Sequence, residues 1–359
     1  MPAFLHAIGF AVPGHNVHQA FIEWARMRVD DRVRPVFDRM ASRAGIEQRW
    51  SVLPFSPGGG SPVDAGGFYA LAAAPGTAAR MEVYAEAAPE LALAAVAKLA
   101  GQVPLDGITH LVVASCTGFV APGLDQIVAR RLGLAGSTER LLIGFMGCYA
   151  AVAALRSARH IVRSDPDARV LVICCELSTL HLQDTGEVEP LLAMLQFGDG
   201  AAAALVTGER PREGTHAFDL GTPFAANLPD SDALIRWTIT DAGFAMHLSG
   251  EVPRRIATAL ADEDFRGVVT DGRGPEGIDG WAVHAGGRSI LDAVQNTLGL
   301  APDALAASRA VLAANGNMSS ATLMFTLERL LAGPPVEHGV ALAFGPGLAA
   351  EGFGFRSVR

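Results

Sequence analysis

The sequence is poor in the residue types that stabilise small secreted domains or hold metal ions. It has four cysteines in 359 residues, with no Cys-x-x-Cys pair and no histidine spacing typical of zinc. A disulfide scaffold needs a higher density of cysteine, so the count favours a reducing compartment and predicts a cytoplasmic protein. We expect neither a metal site nor a disulfide framework. The four cysteines are Cys116, Cys148, Cys174 and Cys175.

Charged residues and long hydrophobic runs are also scarce. Only 18% of the residues are charged while 50% are hydrophobic, which is typical of a globular protein with a sizeable core. The net charge of -9 argues against nucleic acid as a partner. No apolar stretch approaches the roughly 18 residues of a membrane span. The first apolar run is broken by Pro13 and follows no basic residue, so we expect neither membrane insertion nor a signal peptide.

Apolar strands alternate with helical segments along the first 210 residues. Continuous apolar runs predict strands covered on both faces of a sheet, as in α/β proteins. We take Thr77 as the N-cap of a long helix because its hydroxyl precedes a helical pattern. The strands are predicted at 109–116, 140–147, 168–178 and 200–208.

A stretch rich in polar and turn residues at 212–232 separates this half from a second one with the same alternation. We place the boundary before residue 212, which gives an N-terminal half of 1–211 and a C-terminal half of 212–359. In the second half a strand at 280–287 precedes a helix, and a strand pair ends the chain. Both halves deliver polar residues at a strand–helix junction, which indicates a duplicated architecture with a site between the halves.

The stretch LLIGFMGCYAAVAAL places Cys148 where a predicted buried strand gives way to a helix. At a helix N-terminus the unpaired N–H groups and the dipole lower the pKa of a thiol and favour a nucleophilic thiolate. Gly147 permits a tight turn beside the sulfur. The alternative is a core cysteine that acts as a small hydrophobic residue, and this stretch alone does not separate the two.

Two residues of the second half are candidate partners of this thiol. His284 closes the predicted strand WAVH before two glycines, and Asn317 lies in NGNMSSAT before an apolar helix. Each has an ordinary structural interpretation, since a lone histidine is usually structural and asparagine and serine are common N-caps. Together, a thiolate, an imidazole and an amide form a set suited to acyl transfer at a thioester.

The segments GFMGCYAA, QFGDGAAAALV, WAVHAGGRSILDAV, GNMSSAT and AFGPGL occur in this order. In this combination the chain resembles the type III polyketide synthases, the chalcone and stilbene synthase family. The segments PGTAARMEVYAEAAPELA and GIEQRWSVLP resemble bacterial members more than plant ones. The resemblance implies an α/β thiolase fold, a duplicated five-layer αβαβα architecture that works as a homodimer. It also implies acyl-CoA and malonyl-CoA as substrates, with no metal or redox cofactor.

The resemblance assigns roles to individual residues. It implies Cys148 as the nucleophile with His284 and Asn317 as catalytic partners, and Arg39 and Arg43 as contacts of the coenzyme A phosphates. Phe197 matches a phenylalanine that screens the active site from the coenzyme A tunnel. The implied gating and cavity residues are Phe197, Met246, Trp237, Cys116 and Ala121.

Several positions depart from the family pattern. Met246 replaces the second gating aromatic and Val36 a third basic position. Ala121 stands where plant members send a methionine into the neighbouring subunit, and Trp237 stands where they commonly carry a glycine. These departures predict a different pocket. Positions that hold waters or shape cyclisation in some members fall on Glu176, Ser178 and His181.

The implied reaction is loading of an acyl starter on the cysteine, repeated decarboxylative condensation with malonyl-CoA, and cyclisation to a pyrone, resorcinol or phloroglucinol. A ketoacyl-acyl carrier protein synthase III, which condenses once, has the same fold and the same three residue types. A catalytically silent scaffold with the thiolase fold is a third alternative, but it should lack one of the three residues. A hydroxymethylglutaryl-CoA synthase should show a catalytic glutamate, for which the sequence has no motif.

Overall fold

The computed structural model describes residues 1–71 and 74–359. The strands of this part are β1 (Phe4–Ala11), β2 (His15–Asn16), β3 (Trp50–Ser51), β4 (His110–Ser115), β5 (Glu139–Gly144), β6 (Arg169–Leu177), β7 (Asp199–Thr207), β8 (Ala217–Asn227), β9 (Ile235–Thr240), β10 (Gly243–Leu248), β11 (Gly280–Val283), β12 (Gly339–Gly345) and β13 (Ala349–Val358). Its α-helices are α1 (His18–Arg26), α2 (Arg34–Ser42), α3 (Thr77–Ala100), α4 (Leu124–Arg131), α5 (Ala150–Ser164), α6 (Val188–Met194), α7 (Val252–Ala261), α8 (Glu263–Val269), α9 (Arg288–Leu298), α10 (Ala306–Asn315) and α11 (Ser320–Leu331).

Nine of these strands form one mixed sheet in the order β11-β12-β13-β8-β1-β7-β6-β4-β5 within the described residues. On one side of its centre β1 is antiparallel to β7, β7 is antiparallel to β6, and β6 is parallel to β4. On the other side β8, β13, β12 and β11 repeat that pattern. The first strands of the two halves, β1 and β8, join at the centre through two residue pairs. The predicted duplication is therefore confirmed.

Helices form three of the five layers. Helices α5 and α11 contact each other and strands of both halves, so they form the central layer. Helices α3 and α4 cover the outer face of the N-terminal strands, and α7, α9 and α10 pack on the C-terminal side. This arrangement confirms the thiolase-like αβαβα architecture.

Small residues let the layers approach closely. Strand β7 is buried at every residue, and the alanines within it leave room for helices on both faces. In β1, a Cβ on Gly9 would lie 2.2 Å from the backbone nitrogen of Leu99 in α3. The alanine and glycine content of these strands therefore sets the spacing between the sheet and its helices.

Two local predictions were wrong. Thr77 is the first residue of α3 rather than its N-cap, which is Gly76, and its hydroxyl instead donates to the carbonyl of Thr240. The predicted buried strand before Cys148 is an edge strand, so Leu141 and Leu142 are 42% and 43% exposed. The polar stretch at 212–232 contains β8, a central strand of the sheet whose side chains alternate in burial.

No helix within residues 1–71 and 74–359 is both long and apolar enough to cross a membrane.

Candidate active site

Cys148 lies in a tight turn between β5 and α5. The turn is a 3-10 helix at Gly147–Tyr149, so α5 itself begins two residues after the thiol. The backbone before it is contorted, since Phe145 has a φ of 58° and Gly147 a φ of 78°. A Cβ on Gly147 would lie 2.4 Å from Cδ of Pro346. Only glycine fits at this position, which explains the residue that precedes the cysteine.

His284 comes directly after β11, as the sequence predicted. Its backbone N–H donates to the carbonyl of Leu342 over 2.8 Å, which continues the pairing with β12. The side chain is only 1% exposed, and within the described residues neither ring nitrogen has a hydrogen-bond partner. A buried imidazole without partners is costly, and such groups are candidates for contact with a substrate.

Asn317 brings an amide to the sulfur. Its Nδ2 lies 4.0 Å from Sγ of Cys148 and donates to the carbonyl of Gly286 over 3.2 Å. Its Oδ1 accepts from the backbone N–H of Ser319 over 2.8 Å, which fixes the amide with its NH2 group toward the thiol. A Cβ on Gly286 would lie 3.5 Å from Nε2 of His284. Gly286 therefore lies between the imidazole and the amide.

The residues around the sulfur enclose a cavity of about 40 Å³, room for roughly three water molecules. Four of the predicted gating and cavity residues line it, namely Phe197, Met246, Trp237 and Cys116. Ala121, the fifth, is not among the lining residues in the described chain and is exposed in the loop before α4. The remaining lining residues include Cys148, Asn317, Ser178, Ser319, Ile235, Leu248, Phe344 and Pro346.

The electrostatics of the thiol differ from the sequence prediction. Burial raises the pKa of Cys148 to about 12, although hydrogen bonds with Ser319 and Asn317 oppose this shift. The expected lowering by the N-terminus of α5 is outweighed because the thiol is removed from water. Burial also lowers the pKa of His284 to about 3. The neutral form of each group is thus favoured in the folded chain.

A buried carboxyl group supports the floor of this site. Oε2 of Glu176 accepts from the backbone N–H of Cys116 over 2.9 Å and from the hydroxyl of Thr117 over 3.0 Å, and Ser320 donates to the other oxygen. Burial raises the pKa of Glu176 to about 7 despite these donors. The thiol of Cys116 accepts from the N–H of Gly147 over 3.0 Å. Cys116 therefore braces the turn that carries Cys148 as well as lining the cavity.

The hairpin β9–β10 provides the opposite wall. Trp237 and Met246 face each other across its two strands, and the indole N–H of Trp237 donates to the carbonyl of Cys116 over 3.2 Å. Their pairing was not predicted, because they lie in short strands outside the main sheet.

His181 anchors this hairpin. Its Nδ1 accepts from the N–H of Phe244 over 3.0 Å, so its Nε2–H donates to the carbonyl of Thr117, 2.7 Å away. Both ring nitrogens are occupied by backbone groups, and the ring stacks on Phe244 at 4.1 Å. Burial lowers its pKa to about 3. These contacts give His181 a structural role, whereas Ser178 lines the cavity with a hydroxyl that has no hydrogen-bond partner among the described residues.

Arg39 and Arg43 lie at the surface, in the last turn and at the C-cap of α2. Neither forms an ion pair with any residue of the described chain, so both are open to an anionic ligand. Val36, the departure from the family's third basic position, is 41% exposed on the same helix.

Comparison with known proteins agrees with this geometry. Residues 1–211 match the family model of the N-terminal domain of chalcone and stilbene synthases, and residues 220–359 match that of the C-terminal domain. The chain belongs to the chalcone and stilbene synthase family. It is 36% identical over 298 residues to bisdemethoxycurcumin synthase of Oryza sativa subsp. japonica, which covers 77% of this chain and 73% of the relative.

Two solved polyketide synthase structures have the same fold as this chain. The polyketide synthase PKS-I of the brown alga Ectocarpus siliculosus superposes with a TM-score of 0.87 at 30% identity, covering 99% of this chain and 98% of the other. The C-terminal type III polyketide synthase domain of Steely1 from Dictyostelium gives a TM-score of 0.90 at 26% identity over the whole of both chains.

The protein is therefore a type III polyketide synthase, an acyltransferase that catalyses decarboxylating condensation. The match over both halves favours this family over the ketoacyl-acyl carrier protein synthase III that the sequence left open.

Glu176→Gln should flatten part of the pH dependence of stability. A carboxyl group whose pKa is raised from 4.5 to about 7 on folding binds more protons in the folded chain, so its contribution to the free energy of unfolding falls as pH rises through that window. Glu176→Gln lacks this decrease in the free energy of unfolding with rising pH. Its melting temperature relative to the parent should therefore be higher at pH 8 than at pH 5.

The exposed Glu213→Gln serves as the control in these melts and should show no such trend. Asp199, whose pKa burial also raises to about 7, contributes equally to parent and variant. If the difference between Glu176→Gln and parent is the same at both pH values, Glu176 is not the titrating group.

Proposed function

We propose that Cys148, His284 and Asn317 together carry the acyl transfer and the decarboxylative condensation. The observation that supports this most directly is the Asn317 amide, 4.0 Å from the Cys148 sulfur, bonded to Gly286, which also lies against the His284 ring. Thiolate, imidazole and amide are the groups needed to accept an acyl chain and to stabilise negative charge on a thioester oxygen.

The first step is loading. The Cys148 thiol gives its proton to His284, and the resulting thiolate attacks the carbonyl carbon of the starter acyl-CoA. A new bond forms between the cysteine sulfur and the acyl carbon, and the bond to the coenzyme A sulfur breaks. The coenzyme A thiolate leaves with the proton held by the imidazole. Because burial disfavours either charge alone, the proton transfer and the attack are coupled.

The second step is decarboxylation and condensation. Malonyl-CoA loses CO2, and the electron pair of the broken C–C bond moves into an enolate whose oxygen bears negative charge. The amide of Asn317 and the Nε2–H of His284 donate to this oxygen in a dry site, where such donors act strongly. Phe197 presents an apolar face that favours departure of the carboxylate as neutral CO2. The enolate carbon attacks the acyl group on Cys148 and releases the thiolate for another cycle.

Cys148→Ala should separate condensation from decarboxylation. Decarboxylation needs donors to the thioester oxygen and no nucleophile, so the variant should form acetyl-CoA from malonyl-CoA while making no polyketide. Asn317→Ala and His284→Ala each remove one donor, which costs about a hundredfold or more in the rate of decarboxylation. Chromatography of the coenzyme A esters and mass spectrometry of the products measure both reactions.

Alkylation by iodoacetamide across pH completes this test. The parent should react rapidly near neutral pH because His284 accepts the proton, whereas His284→Ala should react only at a higher pH, since burial raises the pKa of the isolated thiol. Slow alkylation of the parent at neutral pH would indicate a silent scaffold. Polyketide formation by Cys148→Ala, or parental decarboxylation by Asn317→Ala, would contradict the assigned roles.

We also propose that the pocket selects aliphatic acyl-CoA starters, or malonyl-CoA itself, over p-coumaroyl-CoA. The cavity of about 40 Å³ is bounded by the Trp237 indole, which the bond to Cys116 holds in place. A second cavity of about 10 Å³ lies beyond it and shares Trp237, Met246, Phe197 and Ser178 as lining. Trp237 thus divides a space that a glycine would leave continuous.

Trp237→Gly should therefore admit bulkier starters or additional extensions. The matched control is Trp237→Phe, which loses the hydrogen bond to Cys116 but keeps most of the bulk, and should retain the parental profile. Mass spectrometry of products from malonyl-CoA with a panel of aliphatic and aromatic acyl-CoA starters gives the measurement. An unchanged profile in Trp237→Gly would mean that Trp237 does not limit the cavity.

The coenzyme A phosphates are proposed to bind Arg39 and Arg43, whose guanidinium groups are exposed on one helix. No tight selectivity is expected from two surface arginines alone, and the departure at Val36 removes a third charge from the same face. Four free thiols are compatible with the reducing cytoplasm that we propose as the compartment.

A homodimer is proposed across the free edge of β5. This strand ends the sheet at one side, and its Leu141 and Leu142 are 42% and 43% exposed. Edge strands with exposed apolar residues are a hazard unless another chain covers them. The loop 117–123 lies next to this edge and exposes Phe119 as well, so it should lie near the partner subunit.

Replacing both Leu141 and Leu142 by lysine should dissociate the dimer, because two charges would face each other across the pairing. Val268→Lys, at an equally exposed apolar position on α8, is the control and should leave the dimer intact. Light scattering at micromolar concentration reports the mass. A monomeric parent would overturn the proposal, as would a dimer that survives both lysines.

A further inference from the structure

Arg49 is a buried cation outside the site described so far. It precedes β3 and is 0% exposed, although taking a guanidinium out of water is costly unless its donors are satisfied. Within residues 1–71 and 74–359 no carboxylate lies at ion-pair distance from it, and the charge of Asp199 acts on it only from farther away. The contacts that replace water around Arg49 therefore matter.

The guanidinium of Arg49 donates hydrogen bonds to two residues, Phe197 and His18. One terminal nitrogen donates to the backbone carbonyl of Phe197 over 3.0 Å. The Nε–H donates to Nδ1 of His18 over 3.0 Å, and the other terminal nitrogen contacts the carbonyl of His18 at 3.4 Å. Burial and the charge of Arg49 lower the pKa of His18 to about 4, so this imidazole stays neutral and accepts the bond. The cation is thus held between His18 and Phe197.

The backbone of Phe197 is in turn bridged to that of Asn317. The N–H of Asn317 donates to the carbonyl of Gln196 over 2.8 Å, and the N–H of Gly198 donates to the carbonyl of Asn317 over 3.0 Å. Gly316 has a φ of 68°, and a Cβ there would lie 2.9 Å from Cγ of Arg49. Arg49 therefore contacts both strands of this bridge, one by a hydrogen bond and one by packing.

Arg49 does not reach the reacting atoms. It is not among the residues that line the cavity beside Cys148 in the described chain, and it lines instead the smaller cavity that shares Phe197 as a wall. Cys148 itself is supported by a separate set of contacts, in which Gly147 bonds to Cys116 and packs on Pro346. The turn that carries the nucleophile and the bridge that carries the amide are thus braced by different residues, although Asn317 and Ser319 also contact the Cys148 sulfur.

We propose that Arg49 is a positioning residue for decarboxylation, because its guanidinium fixes the bridge that aims the Asn317 amide and the Phe197 ring at the malonyl thioester. This inference rests on the roles proposed above for Asn317 and Phe197. Small displacements of a donor by a residue remote from the chemistry reduce rates steeply. Loading depends first on the Cys148 thiol and on proton transfer to His284, so it should respond to Arg49 much less than decarboxylation does.

The test compares two reactions of the same protein. Arg49→Met keeps a long stem without charge or donors. Its rate of malonyl-CoA decarboxylation should fall about ten- to a hundredfold, through kcat rather than KM. Single-turnover acylation of Cys148 by a starter acyl-CoA, followed by intact-protein mass spectrometry, should stay close to the parental rate. Arg49→Lys keeps the charge but cannot serve Phe197 and His18 together, so its decarboxylation should be intermediate.

Arg80→Met is the matched control for a purely structural loss. Arg80 is 3% exposed, and it too donates to backbone carbonyls, those of Pro75, Leu180 and Leu182, over 2.7–2.9 Å. It has no contact with the Phe197–Asn317 bridge within the described residues. The Arg80→Met substitution should lower the melting temperature as Arg49→Met does. The ratio of the decarboxylation rate to the loading rate should stay at the parental value.

The results distinguish the role of Arg49 from the role of Asn317. If Arg49→Met loses both reactions equally, or neither, Arg49 is only structural and the inference is overturned. If Arg49→Met is insoluble, a parental ratio in Arg49→Lys overturns it and a lowered ratio supports it. Asn317→Ala is assayed alongside. Parental decarboxylation by that variant refutes the role of Asn317 itself, whereas slow decarboxylation there with a normal Arg49→Met refutes the inference alone.

Discussion

Exclusion of water from the space between the two halves of the chain governs this site. It raises the pKa of the Cys148 thiol and lowers that of the His284 imidazole, so the neutral form of each group is favoured. The same exclusion strengthens every hydrogen bond offered to a developing enolate. Decarboxylating condensation depends on such donors, and the αβαβα layering provides the interior in which they act.

The backbone around this site is locally strained. Five non-glycine residues of the described chain have positive φ, and two of them, Asp230 and Asp271, lie in exposed turns. The other three are Phe145, Ser319 and Leu348, in the loops that carry Cys148, follow Asn317 and adjoin Pro346. Strained conformations persist only where surrounding structure enforces them. Here the two central helices and the paired strands hold the loops, and the loops hold the reacting groups.

The sequence predicted the fold well where a segment's environment is uniform. The apolar runs that became β4, β6 and β7 are buried on both faces, and their periodicity is readable without tertiary information. The prediction failed at β5, whose apolar residues look like core although no neighbouring strand of the same chain covers them. An apolar run therefore predicts a strand without showing whether that strand lies at the centre or at the edge of the sheet.

The candidate site also combines residues that could be predicted from the sequence with residues that could not. Cys148, His284 and Asn317 follow strands or precede helices, so their approach to one another could be predicted from motifs. The residues that support these three side chains could not be predicted in this way. Glu176 reads as one charge in an apolar strand, and Arg49 as one of several arginines near the N-terminus, because their partners are backbone groups far away in the sequence. The direction of the Cys148 pKa was also missed, since desolvation of the thiol outweighs the effect of the following helix.

The place of β1 at the centre of the sheet has a consequence for biosynthesis. The first strand of the chain pairs with β7 and β8, so its partners emerge from the ribosome only after some 200 further residues, at Ala201–Thr207 and Phe218–Asp219. Contacts of such long sequence separation form slowly because closing the loop costs entropy. Helix α3 can already cover one face of β1, but the edges of the strand stay unpaired until β7 and β8 are made, and unpaired strand edges are prone to aggregation.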